Sequence, residues 1–437
     1  MTTTSRRLML RPVKTLKYLG TAIATTTLLI SSTGSAVKAT LEDSPKTIVD
    51  EVWQIVHNEF VDREFNEIDW LEKRQELLEG NYANQEQAYR AIRESLKELG
   101  DPYTRFLDPK KFEELTSQTS GELSGIGIRL TIEEETSQIT VVEPLADSPA
   151  DEAGIKPGDK IVSINGKPTS LMSLEQASEE IRGEVGTDVS LKIARSGNST
   201  FDVTLTRSQI ELPSVNYSIS KEGQTNVGYI RLDEFSSHAA EQMQEAIEDL
   251  SQENVSGFVL DLRGNPGGLL FSSVEIARMW LEEGAIVSTK DSKGGDQKFF
   301  ANGKALTDLP LVILVDRYSA SASEILAGAL KENNRATIVG TRTYGKGTVQ
   351  SVHSLSDGSG LAVTIAQYYP PSGMDINFKG IAPDIEVDLT SEQQLAFNVN
   401  PALFATPADP QFAKAIQILK NISASQVGQP SNSITIR

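Results

Sequence analysis

The 437-residue chain contains no cysteine. That absence excludes a thiol nucleophile, disulfide staples and thiolate zinc sites together. Histidine is nearly as scarce: His57, His238 and His353 are the only three, and none stands in an H-E-x-x-H arrangement, so a helical zinc-peptidase site is absent. Each of the three reads as an ordinary surface or half-buried side chain. Long apolar runs are missing too, since the stretch Tyr18 to Ile30 falls short of the ~20 residues that span a bilayer and is weakened by threonines. Positive charge is in deficit: 41 Lys and Arg face 60 Asp and Glu, a net charge of −19, and such a surface repels phosphate backbones and argues against nucleic acid as a partner.

What is present describes an ordinary globular protein, with 38% hydrophobic and 23% charged residues. The length predicts two or three domains of ~100–200 residues. Residues 1–39 differ from the rest: Arg6, Arg7, Arg11, Lys14 and Lys17 precede the short apolar run, and small residues follow to Ala36 and Ala39. This pattern predicts a cleaved export signal, with Ser5-Arg6-Arg7-Leu8-Met9-Leu10 also resembling a twin-arginine signal. Its removal would leave a net charge of about −25.

Residues 40–118 read as a helical region. Val49, Val52, Trp53, Val56 and Phe60 recur at spacings of three and four, as do Ala88, Ala91, Ile92, Leu96 and Leu99, before Gly100-Asp101-Pro102 stops the pattern. Packing within the chain is the favoured use of these stripes, with a homodimer contact as the alternative. From 119 to 207 short strands dominate. Gly121 to Leu130 is a glycine-bearing loop running into a strand, and Ala153-Gly154-Ile155-Lys156-Pro157-Gly158-Asp159-Lys160-Ile161-Val162-Ser163-Ile164-Asn165-Gly166 follows; the block resembles a PDZ domain. In that reading the N–H groups of Gly125, Ile126, Gly127 and Ile128 hold a peptide's terminal carboxylate.

Residues 208–389 alternate strands with helices, which implies a parallel or mixed sheet with chemistry in the loops after its strands. Two such loops stand out, Arg263-Gly264-Asn265-Pro266-Gly267-Gly268 and Ser319-Ala320-Ser321-Ala322-Ser323-Glu324. Ser321 and Glu324 form the S-x-x-E capping box, so Ser321 caps a helix over 324–332. A serine at a helix start is also placed for acyl transfer, with the Ala322 N–H and a glycine N–H of the 264–268 loop as oxyanion donors. Lys346, between Gly345 and Gly347, could take the serine's proton if burial kept it neutral, and Gln350 could hold its amine. The rival reading of Gly340 to Gly347 as a phosphate loop fails because its last position is not Ser or Thr and a strand, not a helix, follows.

The run Val259 to Leu270, the serine cluster with the helix behind it, and Tyr344-Gly345-Lys346-Gly347-Thr348-Val349-Gln350 resemble the carboxyl-terminal processing peptidases, over roughly residues 45–388. Val52 to Asp62 is similar to their cyanobacterial and plastid branch. The resemblance implies a multidomain α/β fold: an N-terminal helical region over 40–118, an inserted β-rich PDZ domain over 119–207 and a mixed-sheet serine protease core over 208–389; beyond it the C-terminal segment 390–437 reads as one helix, Pro410 to Leu419, with a polar end. It implies Ser321 as nucleophile, Lys346 as base, Gln350 as its orienting residue, Gly268 and Ala322 as the oxyanion hole, and Asp261, Arg263 and Glu324 as site support. It further implies a periplasmic or thylakoid-lumenal endopeptidase without metal, nucleotide or other cofactor. Its substrates would carry exposed apolar C-terminal tails, membrane proteins among them and a photosystem II reaction-centre subunit as one instance. A non-catalytic PDZ scaffold is the reading from another class.

Overall fold

The computed structural model describes residues 44–427 apart from 134, 196–198 and 223–224. The expected export signal lies outside the described residues.

Apolar strands of the last large block assemble a six-stranded sheet in the order Val215–Glu222, Thr225–Leu232, Phe258–Asp261, Leu311–Val315, Ala336–Gly340, Ile385–Glu386. The first pair is an antiparallel hairpin and every later pairing is parallel. Every residue of Leu311–Val315 is buried, as a strand covered on both faces requires. Ile313 and Val315 enter a core shared with the helices Ala239–Gln252, Leu270–Trp280 and Ala322–Glu332. Val312 and Leu314 point the other way, onto Phe412, Ala415, Ile416 and Leu419 of the helix Pro410–Val427. The C-terminal segment is thus the second cover of the central sheet, and its helix runs well past the expected residue 419.

A second, antiparallel sheet contains Arg105–Leu107, Gly360–Tyr369, Ala285–Asp291 and Asp296–Phe300, with Thr348–Ser354 also paired to Gly360–Tyr369. Its strand Gly360–Tyr369 contributes Leu361 and Val363 to a cluster with Val49, Val52, Trp53, Val56, Ile92 and Leu96. The N-terminal stripes are therefore consumed inside the chain, where they dock the helices onto this second sheet. The helical region also holds a strand that its pattern did not announce: after Leu99 the chain turns and Arg105–Leu107 joins the sheet, with Arg105 opposite Ala362.

The PDZ-like block is built on its own core of Ile126, Val141, Ile161, Ile164, Val189, Leu191 and Ile193. Its antiparallel sheet runs Ile128–Ile132, Ile139–Pro144, Lys160–Ile164, Asp188–Arg195, Ser199–Thr206, and a neck of two strands, Glu122–Gly125 and Ser208–Glu211, joins it to the rest.

Candidate active site

Three loops meet in one cleft of about 360 Å³, lined by Gly267, Gly268, Ser321, Ala322, Lys346 and Gln350 together with Tyr103, Arg105 and Glu234. The first loop leaves the strand Leu311–Val315 and is folded on Asp316, whose Oδ1 accepts the N–H groups of Gly264, Tyr318 and Ser319. Ser321 then adopts φ 54° and ψ −112° at the N-cap of the helix Ala322–Glu332. A positive φ costs a residue with a Cβ about 1–3 kcal/mol, so its surroundings must impose it. They do: the Ser321 N–H donates to Glu324 Oε2 at 2.9 Å, the Ala320 N–H to the Asn265 carbonyl at 3.1 Å, and the Tyr368 hydroxyl to the Ser321 carbonyl at 3.1 Å.

The three serines of the cluster separate by environment. Ser319 and Ser323 are fully buried, and their hydroxyls donate to the Leu262 carbonyl at 2.8 Å and the Asn265 carbonyl at 3.0 Å. Both hydroxyls are structural. Ser321 alone is half-buried and faces the cleft.

The second loop offers its amides one at a time, and most are spent. Gly264 N–H goes to Asp316, Asn265 N–H to the Leu262 carbonyl, and Gly267 N–H to Asn265 Oδ1 at 2.8 Å. Among the described residues Gly268 N–H has no acceptor, nor has Ala322 N–H at the helix start. Glycine is required here by contact as well as by dihedral. At φ 109° a Cβ on Gly267 would stand 2.7 Å from the Ala320 carbonyl oxygen, and at φ 138° one on Gly268 would stand 2.4 Å from that of Phe235. Asn265, which carries no sequence signal of its own, ties this loop to the serine segment through its carbonyl, which accepts the Ala320 N–H and the Ser323 hydroxyl, and to the strand Thr225–Leu232 through its side chain, Nδ2 donating to the Leu232 carbonyl at 2.8 Å.

The third loop carries Lys346. Glu324 is wholly buried, and its Oε1 accepts the Thr343 hydroxyl at 2.6 Å and the Gly345 N–H at 2.7 Å, while Oε2 accepts the Lys346 N–H at 2.9 Å. One carboxylate oxygen therefore holds the backbones of both Ser321 and Lys346. The amides that a phosphate loop would turn toward phosphate point at this carboxylate, and the chain continues as the strand Thr348–Ser354. The ammonium of Lys346 lies over the Tyr103 ring at 5.1 Å. Burial, with repulsion from Arg105, lowers its pKa to about 8, against the opposing pull of Asp101 and Glu324.

Replacing Glu324 with Ala strips four donors of their acceptor in a buried site. We expect a loss of about 3–5 kcal/mol in stability, read by urea denaturation, and loss of activity in the fraction still folded. A variant as stable as the parent would show that the hub is not what fixes the two loops.

Gln350 lines the same cleft but does not hold the lysine amine: its Nε2 donates to Thr348 Oγ1 at 2.9 Å and Thr364 Oγ1 at 3.4 Å. Thr364 in turn donates to Asp101 Oδ2 at 2.6 Å, which also accepts the Thr104 hydroxyl. The lysine's surroundings thus come largely from Asp101, Tyr103 and Arg105, in a stretch read beforehand only as a helix stop. Glu234 is also unforeseen in the cleft, its carboxyl raised to about 7 by burial.

Asp261 and Arg263 lie outside the cleft, beneath the loop 264–268. Arg263 Nε donates to Asp261 Oδ1 at 2.9 Å, its Nη2 to Asp409 Oδ2 at 2.8 Å and its Nη1 to Gln411 Oε1 at 2.9 Å, and the Tyr229 hydroxyl donates to Asp261 Oδ2. Burial works against the Asp261 carboxylate, yet Arg263 and Arg231 hold it below its ordinary range. Two members of this buried cluster, Asp409 and Gln411, belong to the C-terminal segment.

The PDZ residues form a separate place, across the neck. Ile126 is buried in the PDZ core and its carbonyl accepts the Ala150 N–H, while Gly127, at φ 72°, accepts from the Leu145 N–H and the Ser148 hydroxyl. Gly125 ends the neck strand and Ile128 begins Ile128–Ile132, which among the described residues pairs on one side only and so keeps an open edge beside the helix Leu174–Ile181. A peptide can add to such an edge.

A mixed α/β core with a serine at a helix start, acceptor-free amides beside it and an inserted peptide-binding domain defines a serine peptidase. Residues 226–387 match the model of peptidase family S41 and residues 140–195 that of a PDZ domain. The carboxyl-terminal-processing protease of the cyanobacterium Synechocystis sp. is 44% identical over 370 residues, covering 84% of this chain and 85% of that protein. The carboxyl-terminal-processing peptidase 3, chloroplastic, of Arabidopsis thaliana is 39% identical over 355 residues, covering 78% and 68%. The solved structure of a photosystem II D1 C-terminal processing protease is 37% identical with a TM-score of 0.51, covering 79% of this chain and 93% of that one. The chain belongs to the carboxyl-terminal-processing proteases of peptidase family S41.

Proposed function

We propose that the chain is an endopeptidase that recognises the apolar C-terminal tail of a protein through its PDZ edge and cuts that tail with Ser321 as nucleophile and Lys346 as base. The observation that carries this reading is the single Glu324 oxygen that fixes Ser321 and Lys346 at the mouth of one cleft, with the lysine desolvated and the serine half-exposed. Neutral Lys346 takes the Ser321 proton as Oγ attacks the scissile carbonyl. The resulting oxyanion is held by the N–H groups of Gly268 and Ala322, the latter aided by the helix dipole. Lys346, now protonated, delivers the proton to the leaving amine and then deprotonates the water that releases the shortened protein. Asp261 and Arg263 support the oxyanion loop from below, and Gln350 acts on Lys346 through the Thr364–Asp101 bonds. No metal or nucleotide enters these steps.

Residues 40–118, 119–207, 208–389 and 390–437 are the corresponding units: helical dock, PDZ module, catalytic core and C-terminal cover. We place the protein in the periplasm or the thylakoid lumen, where the tails of exported and membrane proteins are exposed. The C-terminal extension of a photosystem II reaction-centre subunit precursor is the substrate we favour, supported by the 37% identity to a photosystem II D1 C-terminal processing protease. The test incubates the purified protein with one carrier bearing an apolar tail, a tail ending in two aspartates, or the reaction-centre extension, and identifies products by mass. We expect the apolar tail to be cut about 10–100-fold faster than the acidic one, the range a few lost pocket contacts give. Tail binding without any product would favour the non-catalytic scaffold. Cleavage of the generic tail but not of the extension would remove that substrate and leave the mechanism standing.

A further inference from the structure

Glu234 lines the catalytic cleft, yet among the described residues it has no ion-pair partner. The chain places it there by alternation. The strand Thr225–Leu232 ends two residues earlier, and Phe235 pairs in parallel with Gly268, its N–H donating to the Gly267 carbonyl at 2.9 Å and its carbonyl accepting the Leu269 N–H at 2.8 Å. The Phe235 ring is wholly buried in the core, so the side chain before it turns the other way, into the cleft. Backbone bonds therefore hold a half-buried carboxyl one residue from the partner of the oxyanion glycine.

The charges of the cleft are divided. Arg105 acts on Lys346 by repulsion, so the two cations stand together, while the carboxyl of Glu234 has only the Gln118 side chain beside it. The adjacent Asp233 is bonded to Arg231 and Asn216. Gln118 belongs to the helix Pro109–Ser120, which buries none of its residues and still presents Leu115, Gln118 and Thr119 to the cleft. Glu234 and Gln118 also line a neighbouring recess of about 330 Å³, whose far walls include Gly121 and Leu123 of the neck and the exposed Arg182 that ends the PDZ helix Leu174–Ile181. The two side chains thus mark the junction between the catalytic cleft and a recess that leads toward the PDZ module. A tail with its terminus on the PDZ edge and its scissile bond at Ser321 enters that junction with the residues after the cut. An extended chain advances ~3.3 Å per residue, so those at the junction are the first few.

We propose that Glu234 is a specificity-determining residue that reads a side chain among the first three after the scissile bond, favouring a cationic one and rejecting a carboxylate. The proposal rests on Ser321 as nucleophile and the PDZ edge as anchor of the tail, and it adds a charge preference that neither of them supplies.

The test uses one carrier with an apolar tail whose cut has been located by mass, and places Lys or Asp in turn at the first, second and third positions after that cut. Cleavage is followed at pH 8, where the Glu234 carboxyl, raised to about 7 by burial, is charged. We expect kcat/KM to favour Lys over Asp by about tenfold or more at one or more of the three positions. Glu234→Gln should lower that ratio at least about fivefold, and Glu234→Lys should reverse it toward Asp. Each ratio is taken within one enzyme preparation, so any unfolded fraction cancels. The same Lys and Asp pair placed two or three residues before the cut should respond to neither variant. A parent without preference at all three positions, a ratio in Glu234→Gln equal to the parent's, or an equal change before and after the cut would each overturn the proposal. Failure of the peptidase mechanism shows elsewhere, as cleavage that survives Ser321→Ala, whereas an unchanged ratio beside an inactive Ser321→Ala protein removes only the role of Glu234.

Discussion

Ser321→Ala is expected to lower kcat/KM for tail cleavage by about 10⁴–10⁶-fold while the affinity for the tail stays within about twofold. The separation is expected because the substitution touches so little else. Glu324 grips the Ser321 backbone N–H, and Ala preserves that bond. Ala keeps a Cβ, so the backbone cost of φ 54° is unchanged and the helix start does not relax. The PDZ edge lies across the neck, in a different sheet with a different core. The neighbouring serines cannot substitute, since turning either hydroxyl toward the cleft would break its hydrogen bond to a buried carbonyl. Single-turnover cleavage followed by mass, with tail affinity from fluorescence anisotropy, separates the two quantities. A Ser321→Ala protein cleaving within tenfold of the parent would sink the assignment. Ser319→Ala and Ser323→Ala serve as contrasts, expected to lower stability by about 1–2 kcal/mol and to change chemistry only through that loss.

What could be read from the sequence was what depends on near neighbours. The capping box at Ser321 and Glu324 spans four residues, and the demand for glycine at 267 and 268 follows from a turn that the local pattern announces. The alternation of strands and helices over 208–389 gave the sheet, because each strand there carries its own apolar signature. Residues whose roles depend on distant pairing were not legible. Arg105 and Tyr103 reach the lysine only because Arg105 pairs with Ala362, a register that no local feature encodes. Arg263 meets Asp409 across 146 positions, and a polar C-terminal segment gives no sign that it will carry the counter-ion of a buried arginine. Gln350 shows the same limit from the other side. Its closeness to Lys346 in sequence suggested a direct bond, but its amide is taken up within its own sheet, by Thr348 two residues before it and by Thr364 opposite it. Glu234 was invisible because a lone carboxylate after a strand has no distinguishing pattern until burial gives it one.

The pH profile should report Lys346 directly. Only the neutral amine can accept the Ser321 proton, so kcat/KM should rise about tenfold per pH unit below the lysine's pKa and level off above about 8. The neighbours set the position of that bend with opposite signs. Asp101 favours the charged amine, so Asp101→Asn should move the bend to lower pH, and Arg105 disfavours it, so Arg105→Gln should move it upward. Lys346→Arg, charged at every accessible pH, is expected to lose about 10³-fold or more. Stability should run the opposite way from what a paired lysine would give. The folded pKa lies below the ordinary value of 10.5, so the unfolded chain binds the proton more tightly. The resulting penalty is full below about pH 8 and disappears above about 10.5. Lys346→Met keeps the length and removes the charge, and should therefore stabilise the protein at pH 7 by about 1–3 kcal/mol while abolishing cleavage. The gain should shrink toward nothing as the pH is raised. Denaturation midpoints of the parent and Lys346→Met from pH 6 to 10, set beside the parent's pH–rate curve, test both halves. A flat rate between pH 6 and 9, or a Met variant less stable than the parent at pH 7, would mean that the lysine is not the desolvated base that burial beside Tyr103 and Arg105 makes it.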